Sequence, residues 1–235
     1  MKILALETST KKFSLAIAED NKVLLSKNTK LKKVLSSSII PSIKKLLDQA
    51  RVPLSCVDGF AVGLGPGSFT SLRVGLATVK GLCLAMQKPV VGIGSLDLIA
   101  MNAKVKSDEQ ICVLCDAKRN LLYACFYVCQ KGELKRTSDY MLADIQEIMK
   151  KVEKDTHFIG DGIKLFEEEI KKAVEARRTQ GHGNLTCTFA KEKDWYPQAR
   201  HLAFLAHQRF QKKQYDRADQ LIPLYLYPDD CQIKR

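Results

Sequence analysis

The segment Gly65-Pro66-Gly67-Ser68-Phe69-Thr70-Ser71-Leu72-Arg73 constrains this chain more than any other. It follows the apolar run Asp58–Leu64 and opens straight into a long apolar helical pattern. Gly65 and Gly67 allow backbone angles that a side chain forbids, while Pro66 pins its own φ. Ser68 and Thr70 are both suited to capping the free N–H groups at the start of a helix. Strand, glycine turn and helix N-terminus together are the repeating corner of an α/β protein. Such a corner suits an anion, and it equally serves as a tight, capped turn and nothing more.

Around that corner the periodicities alternate. Met1–Leu6, Phe13–Glu19 and Val23–Ser26 read as a three-stranded meander, with Asp20-Asn21-Lys22 as a hairpin turn. A helix from Ser37 to Arg51 follows, with Ser36–Ser38 to cap it and Pro41 in its first turn. Then come the strand Asp58–Leu64, the helix Ser68–Gln87, the strand Pro89–Ile93 and a helix from Ser95 to Lys104. The second half begins again with strands at Ile111–Asp116, Leu121–Gln130 and Glu133–Met141. A helix at Asp144–Lys154, a strand at His157–Gly160 and a helix at Gly162–Arg178 come next. Last are a short strand at Asn184–Thr188, a helix at Gln198–Gln214 and an extended Pro223–Tyr227. Thr179–Asn184 reads as a polar loop. Two halves that each run three strands and then alternate helix with strand imply a duplicated α/β lobe. The boundary is expected between 105 and 106, with helix 198–214 packing back on the first lobe.

The formal net charge of +12 favours a polyanionic partner such as RNA, or an acidic protein surface. The basic pairs are dispersed (Lys32-Lys33, Lys44-Lys45, Lys150-Lys151, Lys171-Lys172, Arg177-Arg178, Lys212-Lys213), so they define no single RNA motif. Cys112 and Cys115 have C-x-x-C spacing, but on a strand residues three apart point to opposite faces. Cys125 and Cys129 share a face at roughly 13 Å, beyond disulfide reach. Cys56, Cys83, Cys187 and Cys231 have no ligand-like neighbours, and all eight read as structural thiols of a reducing compartment. Ile3-Leu4-Ala5-Leu6 starts a strand at once, without the apolar region and cleavage site of a secretion signal. Arg73 and Lys80 interrupt the longest apolar helix, so no run is expected to span a bilayer. A cytoplasmic protein is the expectation.

Two helices are apolar on more sides than one sheet needs. In the first, Ile39, Ile43, Leu46 and Ala50 make one stripe, and Ile40 and Leu47 a second. In the other, Phe69, Leu72, Leu76, Val79, Cys83 and Met86 share one face, and Val74, Gly75, Thr78, Leu82 and Ala85 another. Such helices are either wholly core or shared with a partner.

Catalytic groups are sparse. His157, His182, His201 and His207 match no metal spacing, and Ser68 lacks the glycines of a nucleophile elbow. No Walker lysine follows the glycines. Glu7, Asp116 and Asp161 stand at strand ends, where a carboxylate either holds magnesium through water or caps a turn.

Met1–Thr10 (MKILALETST), Gly65–Arg73 with Gly75 and Gly81 behind it, Asp116–Tyr123 (DAKRNLLY), Gly160-Asp161-Gly162 and Pro223–Leu226 (PLYL) occur in this order. In that set the chain resembles the bacterial TsaB (YeaZ) family over nearly its whole length. The resemblance implies a two-lobed α/β fold of the actin-like ATPase class (ASKHA, RNase H-like), with mixed five-stranded sheets and helices. It implies a non-catalytic partner of the ATPase-like TsaD subunit, which helps form N6-threonylcarbamoyladenosine in tRNA. TsaE and tRNA would be met through the complex, and a homodimer would form in the absence of TsaD. No cofactor is expected on this chain, with ATP and metal left to the partner.

Several residues depart from the family pattern: Glu7 for Asp before Thr8, Leu35 for His before Ser36, Ser71 for Gly, Lys118 for Arg and Leu121 for Glu. They count against independent nucleotide binding, for which Glu7, Thr8, Gly65, Gly67, Ser68, Asp116 and Asp161 are the candidate residues. The expected docking residues are Ile40, Ile43, Leu47, Leu72, Leu76 and Val79. Leu76→Glu is expected to break the complex without unfolding the chain. The rival readings are an independent actin-like ATPase or phosphotransferase and, from Ser68, a peptidase.

Overall fold

The computed structural model describes residues 1–30, 34–179 and 185–228. Lys32-Lys33, His182, Cys231 and most of the polar loop after Thr179 lie outside them. The chain divides into two compact units. The first is Met1–Leu98 with Pro197–Leu224, and the second is Ile99–Tyr196 with the described residues 225–228. The division therefore falls at Leu98/Ile99 rather than between 105 and 106.

Unit 1 is built on a five-stranded sheet of β1 (Lys2–Glu7), β2 (Lys12–Glu19), β3 (Lys22–Lys30), β4 (Gly59–Gly63) and β5 (Val90–Ile93), in the order β3-β2-β1-β4-β5. The meander β1–β2–β3 is antiparallel, while β4 and β5 join in parallel beyond β1. The strand β3 runs on to Lys30, past the expected end at Ser26. On one face lie α1 (Leu35–Ala50) and α2 (Phe69–Met86), whose Ile39, Ile43, Leu46, Leu76, Val79 and Cys83 pack on Leu4, Leu6, Ile17 and Phe60. α1 is uncapped by serine. Ser37 and Ser38 donate their hydroxyls to the Val34 carbonyl instead. The opposite face is lined by Ala5, Ala16, Ala18 and Ala61, and α6 (Ala199–Gln211) sits on it through Ala199, Ala203 and Ala206. Small residues on both sides allow that close approach. Ser14 Oγ accepts the Ala199 N–H at 2.8 Å and so anchors the start of α6 on β2.

α3 (Ser95–Ala100) leads into unit 2, and it ends four residues before the expected stop at Lys104. Unit 2 contains β6 (Gln110–Lys118), β7 (Leu121–Gln130), β8 (Glu133–Arg136), β9 (Met141–Ala143), α4 (Ile145–Lys150), β10 (Thr156–Ile159), α5 (Ile163–Thr179) and β11 (Cys187–Phe189). Its sheet has six strands where five were expected: β11-β10-β6-β7-β8, with β9 pairing onto β7. The sixth arises because the stretch read as one strand, Glu133–Met141, breaks into β8 and β9 around a loop. The pairing pattern repeats that of unit 1. An antiparallel meander (β6–β7–β8) is followed by two parallel additions (β10, β11) beyond its first strand. Ile145, Ile148, Phe166, Ile170 and Val174 of α4 and α5 cover Cys112, Leu114, Phe126 and Phe158.

α2 meets, by length and composition, the requirement for a membrane span, contrary to the expectation from its two charges. In the fold its buried stripe is part of the unit 1 core. Pro223–Tyr227 forms no strand. Leu224 N–H bonds the Leu64 carbonyl at 2.8 Å.

Candidate functional site

The glycine corner closes on the end of β1. Glu7, Thr8 and Ser9 are all buried there. Glu7 Oε1 accepts the Ser9 N–H at 2.6 Å, and Oε2 accepts the Ser95 hydroxyl at 2.8 Å. Ser95 Oγ in turn accepts the Gly65 N–H at 3.1 Å, and the Ser95 N–H bonds the Gly65 carbonyl at 2.7 Å. One carboxylate thus ties together the end of β1, the turn and the start of α3. Burial pushes the Glu7 carboxyl above its ordinary range, while the hydrogen bonds from Ser9 and Ser95 oppose that shift.

Glycine is required here by close approach. A Cβ on Gly63 would stand 1.9 Å from Glu7 Oε2, and one on Gly67 would stand 2.2 Å from the Ser9 carbonyl oxygen. Gly65 takes φ +91°, in the region side chains avoid. The Ser68 N–H bonds the Ser9 carbonyl at 2.7 Å. Ser68 occupies the N-cap of α2, but its hydroxyl does not cap the backbone as the sequence suggested. It pairs with Ser71 Oγ at 3.1 Å, a partner that is no general base. Thr8 Oγ1 donates to the Ser71 carbonyl at 2.9 Å and seats the first turn of α2 on β1.

The seven residues proposed for a nucleotide separate by unit. Glu7, Thr8, Gly65, Gly67 and Ser68 meet at this corner of unit 1. Asp116 and Asp161 meet in unit 2, where Asp161 Oδ1 accepts the Asp116 N–H at 3.2 Å. Asp116 is engaged with Lys118, through its N–H at 2.8 Å and through an ion pair with its ammonium. The turn behind it is unusual, because Lys118, Arg119 and Asn120 all take positive φ. Tyr227 steadies that turn by donating its hydroxyl to the Ala117 carbonyl at 2.8 Å. Among the described residues no three His, Cys, Asp or Glu side chains converge as a metal site.

The expected docking residues fare differently. α1 and α2 are neighbours. Ile40 is 53% exposed, but Ile43, Leu47, Leu72, Leu76 and Val79 are each 6% exposed or less and belong to the unit's own core. Leu72, Leu76 and Val79 lie on the stripe that faces the sheet, and periodicity alone does not say which of two apolar stripes does so. The outward face of α2 is made instead by Phe69, Arg73, Ala77, Gly81, Leu84 and Ala85, with Leu84 83% exposed. These positions recur at helical spacing (77, 81, 84 and 85), a signal the sequence carried. Arg73 packs its guanidinium 3.8 Å above the Phe69 ring. Leu76→Glu would therefore bury a charge in the core and does not spare the fold, contrary to the expectation from the sequence.

A family model described as TsaD, tRNA N6-adenosine threonylcarbamoyltransferase, matches residues 29–234. A tRNA threonylcarbamoyladenosine biosynthesis protein TsaB from Buchnera aphidicola subsp. Schizaphis graminum is 32% identical, over 75% of this chain and 86% of that protein. The chain belongs to the TsaB (YeaZ) family. The TsaB of Bacillus subtilis (strain 168) is 28% identical over 100% of this chain and 97% of its own length. YeaZ from Pseudomonas aeruginosa superposes with a TM-score of 0.75 at 26% identity, covering 96% of this chain and 99% of that one. A second Pseudomonas aeruginosa structure, described as similar to peptidase YEAZ, gives 0.77 at 25% identity, with the same coverage of both chains. The fold is thus that of the YeaZ structures, an α/β fold of two units, each built on a mixed sheet.

Proposed function

We propose that this TsaB-family chain is a non-catalytic subunit in the formation of N6-threonylcarbamoyladenosine in tRNA, and that it docks a TsaD-type subunit in the cytoplasm through the outward faces of α1 and α2. The observation that carries this reading is the exposed face of α2. Its apolar and small residues cover no part of the chain's own core, and the helix holds no acidic residue. Ala77 and Gly81 let another helix approach closely, and Leu84 and Ile40 supply apolar area beside them. Arg73 and Lys80 at the margins suit a partner whose rim is acidic.

The non-catalytic role is supported by what the carboxylates already do. Glu7 holds the turn, Asp116 holds Lys118, and Asp161 holds the Asp116 N–H. ATP and metal are assigned to the partner, TsaE and tRNA are reached through the assembly, and self-pairing through the same face is the alternative when TsaD is absent. Size-exclusion chromatography of the chain mixed with its TsaD-type partner tests the docking. Leu84→Glu with Ile40→Glu is expected to leave two separate peaks while the circular dichroism melt stays at its wild-type temperature. A complex that still forms with both changes refutes the assignment of this face.

A further inference from the structure

Unit 2 carries a groove of about 250 Å³ near the outer strand β11. Lys104, from the segment after α3, lines it, as do Lys191 and Lys193, from the segment after β11. His157 and Phe189 contribute to the walls. The backbone that carries the lysines is firmly held. The buried Asn102 amide donates to the carbonyls of Asp194 and Tyr196, at 2.9 Å each. The Trp195 indole N–H donates to the Ala190 carbonyl at 2.8 Å, and the Ala190 N–H bonds the Phe158 carbonyl at 2.9 Å. The Asp194 N–H closes the turn on the Lys191 carbonyl at 2.9 Å. The Phe189 ring lies stacked on Phe158, 5.7 Å between centroids, so that wall is fixed too.

The charge in the groove is unbalanced. Three lysines line it, and Asp194 is the single acidic residue among the lining residues. Among the described residues none of the three lysines is in an ion pair, whereas Lys2, Lys118 and Lys171 each have a carboxylate within reach. His157 shares a 2.8 Å hydrogen bond between Nδ1 and Thr188 Oγ1. Burial holds it below the ordinary histidine range, against the pull of Glu109 and Asp194, so it is neutral at pH 7. A rigid, open groove with three unpaired cations and a neutral polar wall is complementary to phosphate oxyanions. At about 250 Å³ it is too small for a folded protein segment.

We propose that this groove holds the phosphate backbone of an RNA. The capacity for phosphate rests on the groove alone, and the choice of RNA rests on the tRNA-modification reading above. Three ammonium groups that each neutralise a phosphate contribute about 2 to 3 to the slope of log affinity against log salt. The test is fluorescence anisotropy of a labelled tRNA with the full chain, repeated across a potassium chloride series. The triple variant Lys104→Gln/Lys191→Gln/Lys193→Gln is expected to lose that part of the slope and to bind more than tenfold more weakly at low salt. A control, Lys150→Gln/Lys151→Gln/Lys164→Gln, removes the same net charge from exposed positions at the end of α4, just after it and in α5, and is expected to change affinity less than twofold.

Equal losses in the two triples overturn the proposal, as does the absence of any tRNA binding by the wild-type chain. Calorimetry with AMP and with inorganic phosphate separates the sources of the anion. Saturable binding that the groove triple abolishes, alongside an unchanged tRNA isotherm, assigns the groove to a free nucleotide and overturns the RNA assignment. Association with the TsaD-type subunit, measured on the same proteins, is expected to survive the groove triple. A lost salt-slope difference with intact association removes only the RNA groove, and lost association in the Leu84 and Ile40 variants removes only the docking face.

Discussion

Two glycines six residues apart on α2 should answer the same substitution with opposite signs. At Gly81 an added Cβ meets nothing within 4 Å, so alanine there brings only its better helix propensity, a gain of about 1 kcal/mol. At Gly75 the same propensity gain competes with a clash. The added Cβ would stand 2.3 Å from Thr8 Oγ1 and 2.9 Å from Thr8 Cγ2, and Thr8 is 1% exposed with its hydroxyl committed to the Ser71 carbonyl. Thr8 is β-branched and has no free rotamer to retreat into. Overpacking of this kind costs about 1 to 3 kcal/mol, and a displaced hydroxyl forfeits a further hydrogen bond of about 1 kcal/mol. After subtracting the propensity gain, Gly75→Ala should destabilise by about 1 to 3 kcal/mol. Urea unfolding followed by circular dichroism reads both variants on one scale. The double variant Gly75→Ala/Thr8→Ala removes both clashing atoms and should show a coupling of about 1 kcal/mol or more in a double-mutant cycle. If Gly75→Ala stabilises the chain as Gly81→Ala does, α2 is not seated on the end of β1 through Thr8, and the account of the corner fails.

Other outcomes follow from the same geometry. Leu76→Glu places a charge at a position 6% exposed and should unfold unit 1 or cost about 3 kcal/mol or more, whereas Leu84→Glu at 83% exposure should shift the unfolding midpoint by less than about 0.5 kcal/mol. Burial, with a smaller push from Arg200, lowers His201 to about 4. Because the unfolded chain takes up this proton first, stability should fall as pH drops from 6.5 to 4. The loss is about 2 kcal/mol once the partial exposure of the ring is allowed for. His201→Gln should flatten that acid limb in urea titrations. Glu7 works in the other direction. Its folded carboxyl titrates above the unfolded one, so its contribution is lost as pH rises from 4.5 through the raised value, and Glu7→Gln should be the more stable protein at pH 7. A Glu7→Gln chain less stable than wild type at pH 7 would mean that the ionised form is the one the site was built to hold.

Much of the fold was legible in the chain because it is written in local periodicity. Continuous apolar runs marked β1 and β6, alternation marked β2, the glycine corner marked the junction of β4 with α2, and the repeated order of strands and helices announced two related units. Errors fell where local pattern is mute. The single strand expected over Glu133–Met141 splits in two, because polar edge residues alternate well whether or not a neighbour pairs with them. The serines expected to cap α1 lie inside its first turn, and Ser37 and Ser38 bond back to the Val34 carbonyl instead.

The sequence by itself determined that α2 has more apolar surface than one sheet can cover, since its composition and spacing leave only Arg73 and Lys80 charged. Only the tertiary structure decided which stripe turns inward. Leu76 and Val79 meet the sheet, Leu72 is buried on the same side, and Ala77, Gly81 and Leu84 meet water, because the rotation of a helix about its axis is set by contacts from strands distant in the chain. The same holds for Glu7. Its place at the end of β1 was readable, but its partners Ser9 and Ser95 are joined by a fold that brings residues 88 positions apart within 2.8 Å. Spacing along the chain records what a segment can become. Which of its faces is spent inside the molecule depends on packing that no single segment encodes.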